Sequence, residues 1–378
     1  MKRITVLHLL SRFGGDYPLF NQAVQGLSPD TYRHIVLYLR GPVPDSEALR
    51  MDGFDVRELP YRREDLRRFR SKVVRRLRRI VKGEGVDIIH AHRHKPTVYA
   101  TIAAMGIKGV KVVSTVHGMN LYRTLNRKLT ARLLFPKITR IIAVSEAVRE
   151  DILTCNSWYP PEKAVTIHNG IDVDRYARPG ASREESRQFF GLPPDGWLWG
   201  AVGRLSPVKC HDILLRAWAK GGLGRLGGSL AIAGSGDLRP RLEALAKRLK
   251  IDQEVYFLGQ VEDIPKFLAG LDGFVLPSRH EPFGLVLVEA MSAGIPVVAT
   301  AACGPLEILE GFHKEGYAFL IPPEQPEPLA KAMSEVMKWN ESRMQASRDA
   351  TRKRAGEFDM RFMIGKVDSL YRDLIGDN

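Results

Sequence analysis

Apolar residues recur along this chain in two alternating rhythms. Short β-branched runs, many closed by Gly, Asn or Ser, are followed by stretches whose apolar positions fall three and four apart. The first rhythm suits a strand buried on both faces, the second a helix laid over it. In the first part of the chain the runs stand at 4–10, 34–39, 55–59, 87–91, 111–116, 140–145 and 164–168. Residues 170–180 then bring Gly, Pro and acidic side chains without apolar periodicity, and read as a linker. The alternation restarts with runs at 198–202, 229–233, 255–258, 273–276, 296–300 and 318–321, and with helices expected over 211–220, 238–250, 285–293, 326–339 and about 359–375. This order predicts an α/β protein of two doubly wound parallel sheets. The expected boundaries are 1–170, 171–357 and a terminal helix, 358–378, long enough to return to the first domain. Two such domains would face each other across a cleft at their strand C-termini, where open α/β sheets bind ligands.

Length changes this picture little, since 378 residues suit two domains. Charge changes it more. Residues 1–170 carry 30 Lys and Arg against 15 Asp and Glu, and the remainder 27 against 28. One half therefore holds essentially all of the net +14 and calls for an anionic partner. The densest basic stretch, 61–81, places Leu66, Phe69, Val73, Leu77 and Ile80 three and four apart. It predicts an amphipathic helix whose apolar stripe packs on the sheet and whose arginines meet an anionic surface. The three cysteines, Cys155, Cys210 and Cys303, form no CxxC pair, which disfavours a disulfide framework or a thiolate zinc site and suits a reducing cytosol. The opening apolar stretch contains Thr5 and His8 and lacks a small-residue cleavage site, so it reads as a strand rather than a leader. No run is long enough to span a bilayer. The expectation is a cytoplasmic protein, peripheral on a membrane.

The sharpest chemistry lies between Gly273 and Thr300. A strand ends at Pro277, a polar turn carries Pro282 and Gly284, and a helix starts near Leu285. The first amides of a helix lack partners and favour phosphate, and Gly284 lets backbone approach an anion. Glu281 and Glu289 would repel phosphate, so as carboxylate acceptors they suit the vicinal hydroxyls of a ribose and a hexose. Upstream, a strand ends at Gly203, and Arg204 and Lys209 sit before the next helix. They can grip a pyrophosphate, one as a fork and one as a point charge. Gly234-Ser235-Gly236 also closes a strand and can line a nucleotide pocket, though without a third glycine it is a weak motif.

In the first half, strand one runs into Gly14, Gly15 and Asp16, where two glycines allow a ligand close to the backbone. His90, His92 and His94 alternate, so a persisting strand would point them one way. His117 ends the strand at 111–116.

These motifs in this order resemble the retaining, GT-B-fold glycosyltransferases of family four, a group that includes lipopolysaccharide core and phosphatidylinositol mannoside enzymes. The resemblance covers nearly the whole chain. Glu281 and Glu289 match the E-x7-E motif, Arg204 and Lys209 the phosphate clamp. VG-R, GSG, the PS-x-x-E-P-FG turn, EAM-A-G-PVVA and the acidic stretch at Gly304–Ile308 follow suit. Ser145 and the segment 168–172 match further landmarks. The resemblance implies two Rossmann-like domains, Glu289 on the ribose, Glu281 on the transferred sugar, and the Leu285 and Val286 amides on phosphate and sugar. It adds Gly15, Gly203, Gly234, Phe283 and Gly284 on the donor side. Gly14, Gly15, Asp16 and His92 fall to the acceptor side, and His117 to the transferred sugar. It implies a UDP-sugar donor, with GDP second, no metal, and transfer of a hexose with retention as the departing phosphate takes the acceptor's proton. The acceptor that fits the basic first half is a phosphorylated glycolipid such as lipopolysaccharide core.

Rival activities fare less well. Eight residues of helix span about 12 Å, whereas two hydrolase carboxylates stand about 5–5.5 Å apart for retention and up to about 9.5 Å for inversion. A glycosyl phosphorylase would need a phosphate or pyridoxal site. Asp172-Val173-Asp174 spells the metal motif of other transferases but sits in the linker. A sugar-nucleotide epimerase of the same fold remains as the alternative. A nucleic-acid-binding protein would explain the basic half but not the Arg204, Lys209, Glu281 and Glu289 set in the neutral one.

Overall fold

The computed structural model describes residues 3–11, 24–41, 54–66 and 68–376. The chain divides into two compact units, Met1–Asn169 with Arg361–Asn378, and Gly170–Met360. In the first unit, β1 (Ile4–Leu10), β2 (Tyr32–Tyr38), β3 (Asp55–Glu58), β4 (Ile88–His92), β5 (Lys111–Val116), β6 (Arg140–Ala143) and β7 (Ala164–Thr166) form one sheet in the order 3-2-1-4-5-6-7. Every neighbouring pair is parallel. Helices α1 (Ser71–Gly83), α2 (His94–Ala104), α3 (Leu125–Leu134) and α4 (Glu146–Cys155) belong to the crossovers, with α1 against α2 and α2 against α3. Because helices cover the sheet, Thr5 to Leu10 of β1 are buried without the alternation of a half-exposed strand.

The second unit repeats the plan. Its strands are β8 (Trp197–Val202), β9 (Gly228–Ala233), β10 (Val255–Gly259), β11 (Gly273–Leu276), β12 (Val297–Thr300) and β13 (Phe319–Ile321), all parallel in the order 10-9-8-11-12-13. Its helices are α5 (Val173–Ala177), α6 (Arg183–Phe189), α7 (His211–Gly221), α8 (Arg239–Arg248), α9 (Ile264–Ala269), α10 (Leu285–Ser292), α11 (Gly304–Ile308), α12 (Pro326–Val336) and α13 (Glu341–Gly356). Trp199, Trp218, Leu230 and Met333 anchor a core in which each is fully buried. The terminal helix α14 (Met360–Gly376) packs Tyr371 and Leu374 against Val6, Tyr32, Ile88 and Val113 of the first sheet. The Tyr32 hydroxyl donates to the Asp368 carboxylate at 2.7 Å. No helix among the described residues is long and apolar enough to cross a membrane.

Strand order reverses between β1 and β4 in one sheet and between β8 and β11 in the other. Loops at the C-terminal ends of such strand pairs diverge and leave a crevice for a ligand. Arg204 and Lys209 follow β8, while Glu281 and Gly284 follow β11.

Three expectations need correction. The helix expected over 61–81 is α1, which begins only at Ser71. Asp65 holds the preceding turns, accepting from the Arg62 amide at 3.0 Å and the Arg70 guanidinium at 2.9 Å. The buried stripe is Val73, Val74, Leu77 and Val81, while Phe69 lies outside the helix with 57% of its surface exposed. The linker expected over 170–180 contains α5, whose first turn is capped by Asp172 accepting from the Arg175 amide at 3.2 Å. Asp174 pairs with Arg178 at 2.8 Å, so both aspartates of the metal-like motif have protein partners. The sixteen-residue α13 was not anticipated.

Candidate functional site: a lysine–carboxylate cradle after β8 and β11

The first turn of α10 is set by Gly284, whose φ of 109° lies in the region that disfavours side chains. The chain thereby turns sharply from the buried Phe283 into the helix, and the amides of Leu285 and Val286 come first in α10, with no preceding turn to bond to. The loop before it is fixed by its neighbours. Glu281 pairs with Cys303 in a parallel bridge, its carbonyl accepting from the Gly304 amide at 2.9 Å. The Arg279 amide donates to the Val208 carbonyl at 2.8 Å, joining this loop to the one after β8.

That junction brings two expected site residues into contact. Lys209 Nζ lies 2.5 Å from Glu281 Oε2, and Ser278 Oγ donates to the same oxygen at 3.1 Å. Ser278 is held in turn by Thr300 Oγ1, which donates to its carbonyl at 2.5 Å. Glu281 is 8% exposed, so its charge depends on these partners. Arg204, five residues before Lys209, is exposed, and none of the described residues binds its guanidinium. The cradle thus presents one free cation, one cation shared with a carboxylate, and helix amides open to an anion.

Glu289, one turn into α10, is half-buried and hydrogen-bonds the Tyr176 hydroxyl of α5. Burial pushes its carboxyl up to about 7, against the opposing pull of the Tyr176 bond and the Arg175 cation. Tyr176 escaped the sequence reading because it sits in the presumed linker, although the Asp172 cap and Val173 were its signals. Gly203 and Gly234 close β8 and β9 side by side, with the Gly203 amide donating to the Ala233 carbonyl at 2.9 Å.

In the first unit the histidines arrange themselves differently from the alternation expected of them. β4 ends at His92, and Arg93 turns the chain with a φ of 73°. His94 therefore opens α2 and meets the edge of Tyr122 at 5.7 Å, away from His90 and His92. Their neighbour is instead His8 of β1, which no spacing in the sequence indicates. His90 and His92 stack at 4.3 Å, His8 lies 5.8 and 6.1 Å from them, and His8 Nε2 is 3.1 Å from His34 Nδ1. His117 follows β5, exposed, with its ring 5.8 Å from His92. The nitrogens of His8, His90 and His92 lie within 4.8 Å of one another, a spacing that invites a metal reading. Both His90 nitrogens, however, are engaged, by Thr115 at 2.6 Å and Tyr371 at 2.5 Å. Gly14, Gly15 and Asp16 lie outside the described residues.

Burial holds these rings neutral. His8 and His92 are well below the ordinary range, His34 is lowered to about 4 and His90 to about 3. Their folded values lie below the unfolded value, so their contribution is whole above about pH 6.5 and is lost as pH falls, at about 1.4 kcal/mol per unit for each fully titrating ring. The urea midpoint is therefore expected to drop steeply from pH 7 to pH 5, and less steeply in His34→Gln. Parallel profiles for the two proteins would refute the neutral row.

Comparison with known proteins follows the same division. The family described as "Glycosyl transferases group 1" matches residues 182–353, and "Glycosyltransferase Family 4" matches 21–175. A D-inositol 3-phosphate glycosyltransferase of Saccharomonospora viridis is 32% identical over 313 residues, 76% of this chain and 70% of its own length. An uncharacterized glycosyltransferase of Methanocaldococcus jannaschii is 35% identical over 204 residues, 52% of this chain and only 50% of its own length. The crystal structure of Anabaena HepE in complex with UDP aligns with a TM-score of 0.81 over 98% of this chain and 100% of that one, at 22% identity.

Proposed function

This chain belongs to the family 4 glycosyltransferases of the GT-B fold, and on that footing we propose that it transfers a hexose from a UDP-sugar to a phosphate-bearing glycolipid, with retention, at an anionic membrane surface. The observation that carries the donor half is the Lys209–Glu281 pair beside Arg204 and the open amides of α10. A nucleoside diphosphate sugar offers this cradle both of its needs. Its pyrophosphate takes the cations and amides, and its hydroxyls take the two carboxylates. Uridine is the base we place first, because a neighbour of the same fold binds UDP. The basic first unit favours a phosphorylated acceptor, and a relative is named for D-inositol 3-phosphate. Lipopolysaccharide core is the glycolipid we put first.

In this reading the anomeric C–O bond to the pyrophosphate breaks and the acceptor hydroxyl forms the new one. Arg204, Lys209 and the Leu285 and Val286 amides carry the charge that grows on the leaving pyrophosphate, without a metal. The departing phosphate oxygen takes the acceptor's proton. Glu281 holds sugar hydroxyls once Lys209 turns to phosphate, and Glu289 holds the ribose.

The test is thermal. UDP and UDP-sugars are expected to raise the melting temperature more than GDP or ADP compounds, and Glu289→Ala to remove the shift. The pH dependence has a definite sign. The empty site holds Glu289 protonated below about pH 7, whereas ribose hydroxyls donate to its anion, so a UDP-sugar should bind more tightly as pH rises through about 7 and expel a proton on binding. Calorimetry of UDP-glucose, whose diesterified pyrophosphate does not titrate near neutrality, at about pH 6.5 in buffers of different ionisation enthalpy reads that proton. Its absence in wild type, or its persistence in Glu289→Gln, would remove Glu289 from the ribose.

A further inference from the structure

We propose that α3 (Leu125–Leu134) is the surface by which this protein rests on an anionic bilayer, with Leu125, Leu129 and Leu133 set among the lipid headgroups and upper acyl chains. This deepens the membrane part of the reading above by giving it a place. The three leucines are 72%, 53% and 74% exposed. Spaced four apart, they form one stripe along the helix. Lone exposed leucines are ordinary, but a contiguous stripe marks a contact surface.

The stripe cannot turn inward. Tyr122 before α3 and Phe135 after it are buried and meet edge to face at 5.0 Å, and Phe135 packs on Tyr159 at 5.1 Å. Ala131 and Leu134 are buried on the opposite side of the helix. Both ends of α3 are therefore pinned, and the leucines project by default.

Charge identifies the occupant. From residue 88 to residue 145 the chain contains no Asp or Glu, but ten Lys and Arg. Lys128 and Arg132 are exposed on α3 itself, flanking the stripe, and Arg123 and Lys137 are exposed beyond its ends. A second copy would bring the same cations face to face. An anionic bilayer neutralises them and accepts the leucines at once, which is how interfacial helices bind. The basic helix α1 differs in kind, because its apolar stripe is buried and it offers charge alone. Lying next to α2, which packs on α3, it extends the cationic field without inserting.

The test is flotation of the full chain with vesicles of phosphatidylcholine, alone or mixed with phosphatidylglycerol. Wild type is expected to float with the mixed vesicles and not with phosphatidylcholine alone. The exposed-site variant L125Q/L129Q/L133Q is expected to lose about tenfold in partition, and K128Q/R132Q to lose binding and salt sensitivity together. Both variants should keep the wild-type melting temperature and its rise with UDP. A leucine variant that floats like wild type overturns the proposal. So does a wild type that stays with neither vesicle while still responding to UDP, an outcome that leaves the donor reading intact. A concentration-dependent dimer abolished by the leucine substitutions would overturn it in favour of a second copy. Failure of UDP to stabilise a protein that floats as expected would count against the donor reading alone.

Discussion

Arg204→Ala is expected to weaken UDP binding about ten- to a hundredfold, the about 1.5–3 kcal/mol of a hydrogen bond to a charged group, while the unliganded protein melts where wild type does. The separation follows from the side chain's surroundings. Arg204 is exposed and no described residue binds its guanidinium, so truncating the side chain leaves nothing unpaired. Lys209→Ala should behave otherwise. It removes the cation 2.5 Å from Glu281 and leaves a largely buried carboxylate to the Ser278 hydroxyl. A buried group stripped of its partner costs about 1–3 kcal/mol, which for a unit of this size is about 2–4 °C per kcal/mol in melting temperature. Lys209→Ala should thus lose UDP affinity and lower the midpoint, and adding Glu281→Gln should restore part of the midpoint without restoring the affinity. Isothermal calorimetry with UDP and melting curves of the empty proteins read both quantities. Equal loss of midpoint in the two single variants would mean that Arg204 is a structural residue.

The contrast between these two residues also shows where sequence reading reaches its limit. Their loop position was legible, because β8 is an apolar run ending at a glycine and the cations follow at once. So was the placement of Glu281, since β11 is an apolar run closed by Pro277 and α10 is entered through Gly284, a glycine that a sharp turn requires. The bond between Lys209 and Glu281 was not legible. It depends on β8 and β11 being neighbours at the reversal of strand order, a property of topology rather than of spacing. His8 is the same case, brought to His90 by the parallel register of β1 on β4. α13 was missed for a chemical reason. Its buried side is Met344, Ser347, Thr351 and Ala355, and its two hydroxyls are satisfied by the Tyr317 and Ser347 carbonyls, so the helix hides its period behind polar letters. The start of α1 was misplaced because Leu66 and Phe69 keep the helical spacing while Asp65 ties the backbone into turns. Apolar periodicity records what is buried, and Asp65 acts on the backbone instead.

Gly234 carries the largest expected effect on stability. A β-carbon there would stand 1.9 Å from the Gly203 carbonyl oxygen and 2.8 Å from its carbon, at a φ of 150°. Both obstacles are backbone, so no side chain can swing aside. The backbone cannot easily yield either. The Gly234 amide donates to the Gly259 carbonyl at 2.6 Å, the Gly203 amide to Ala233 at 2.9 Å, and the Leu205 amide to Ser235 at 2.9 Å. Three strand ends are thereby stitched together, and relieving the clash means breaking some of those bonds. Gly234→Ala is therefore expected to cost more than about 3 kcal/mol, or to leave no folded second unit, against the usual loss of about 1 kcal/mol for a point substitution. Gly203→Ala is the control. It shares the unfavourable backbone, with a φ of 157°, but its new methyl would meet only the flexible Lys209 methylenes at 3.5 Å, so its loss should be smaller by the cost of the backbone clash and should also fall on UDP affinity as Lys209 shifts. Urea unfolding of both variants decides the matter. If Gly234→Ala proves as stable as Gly203→Ala, the close approach of the two loops is not a constraint on the fold, and the glycine would have to be explained by the ligand that approaches it.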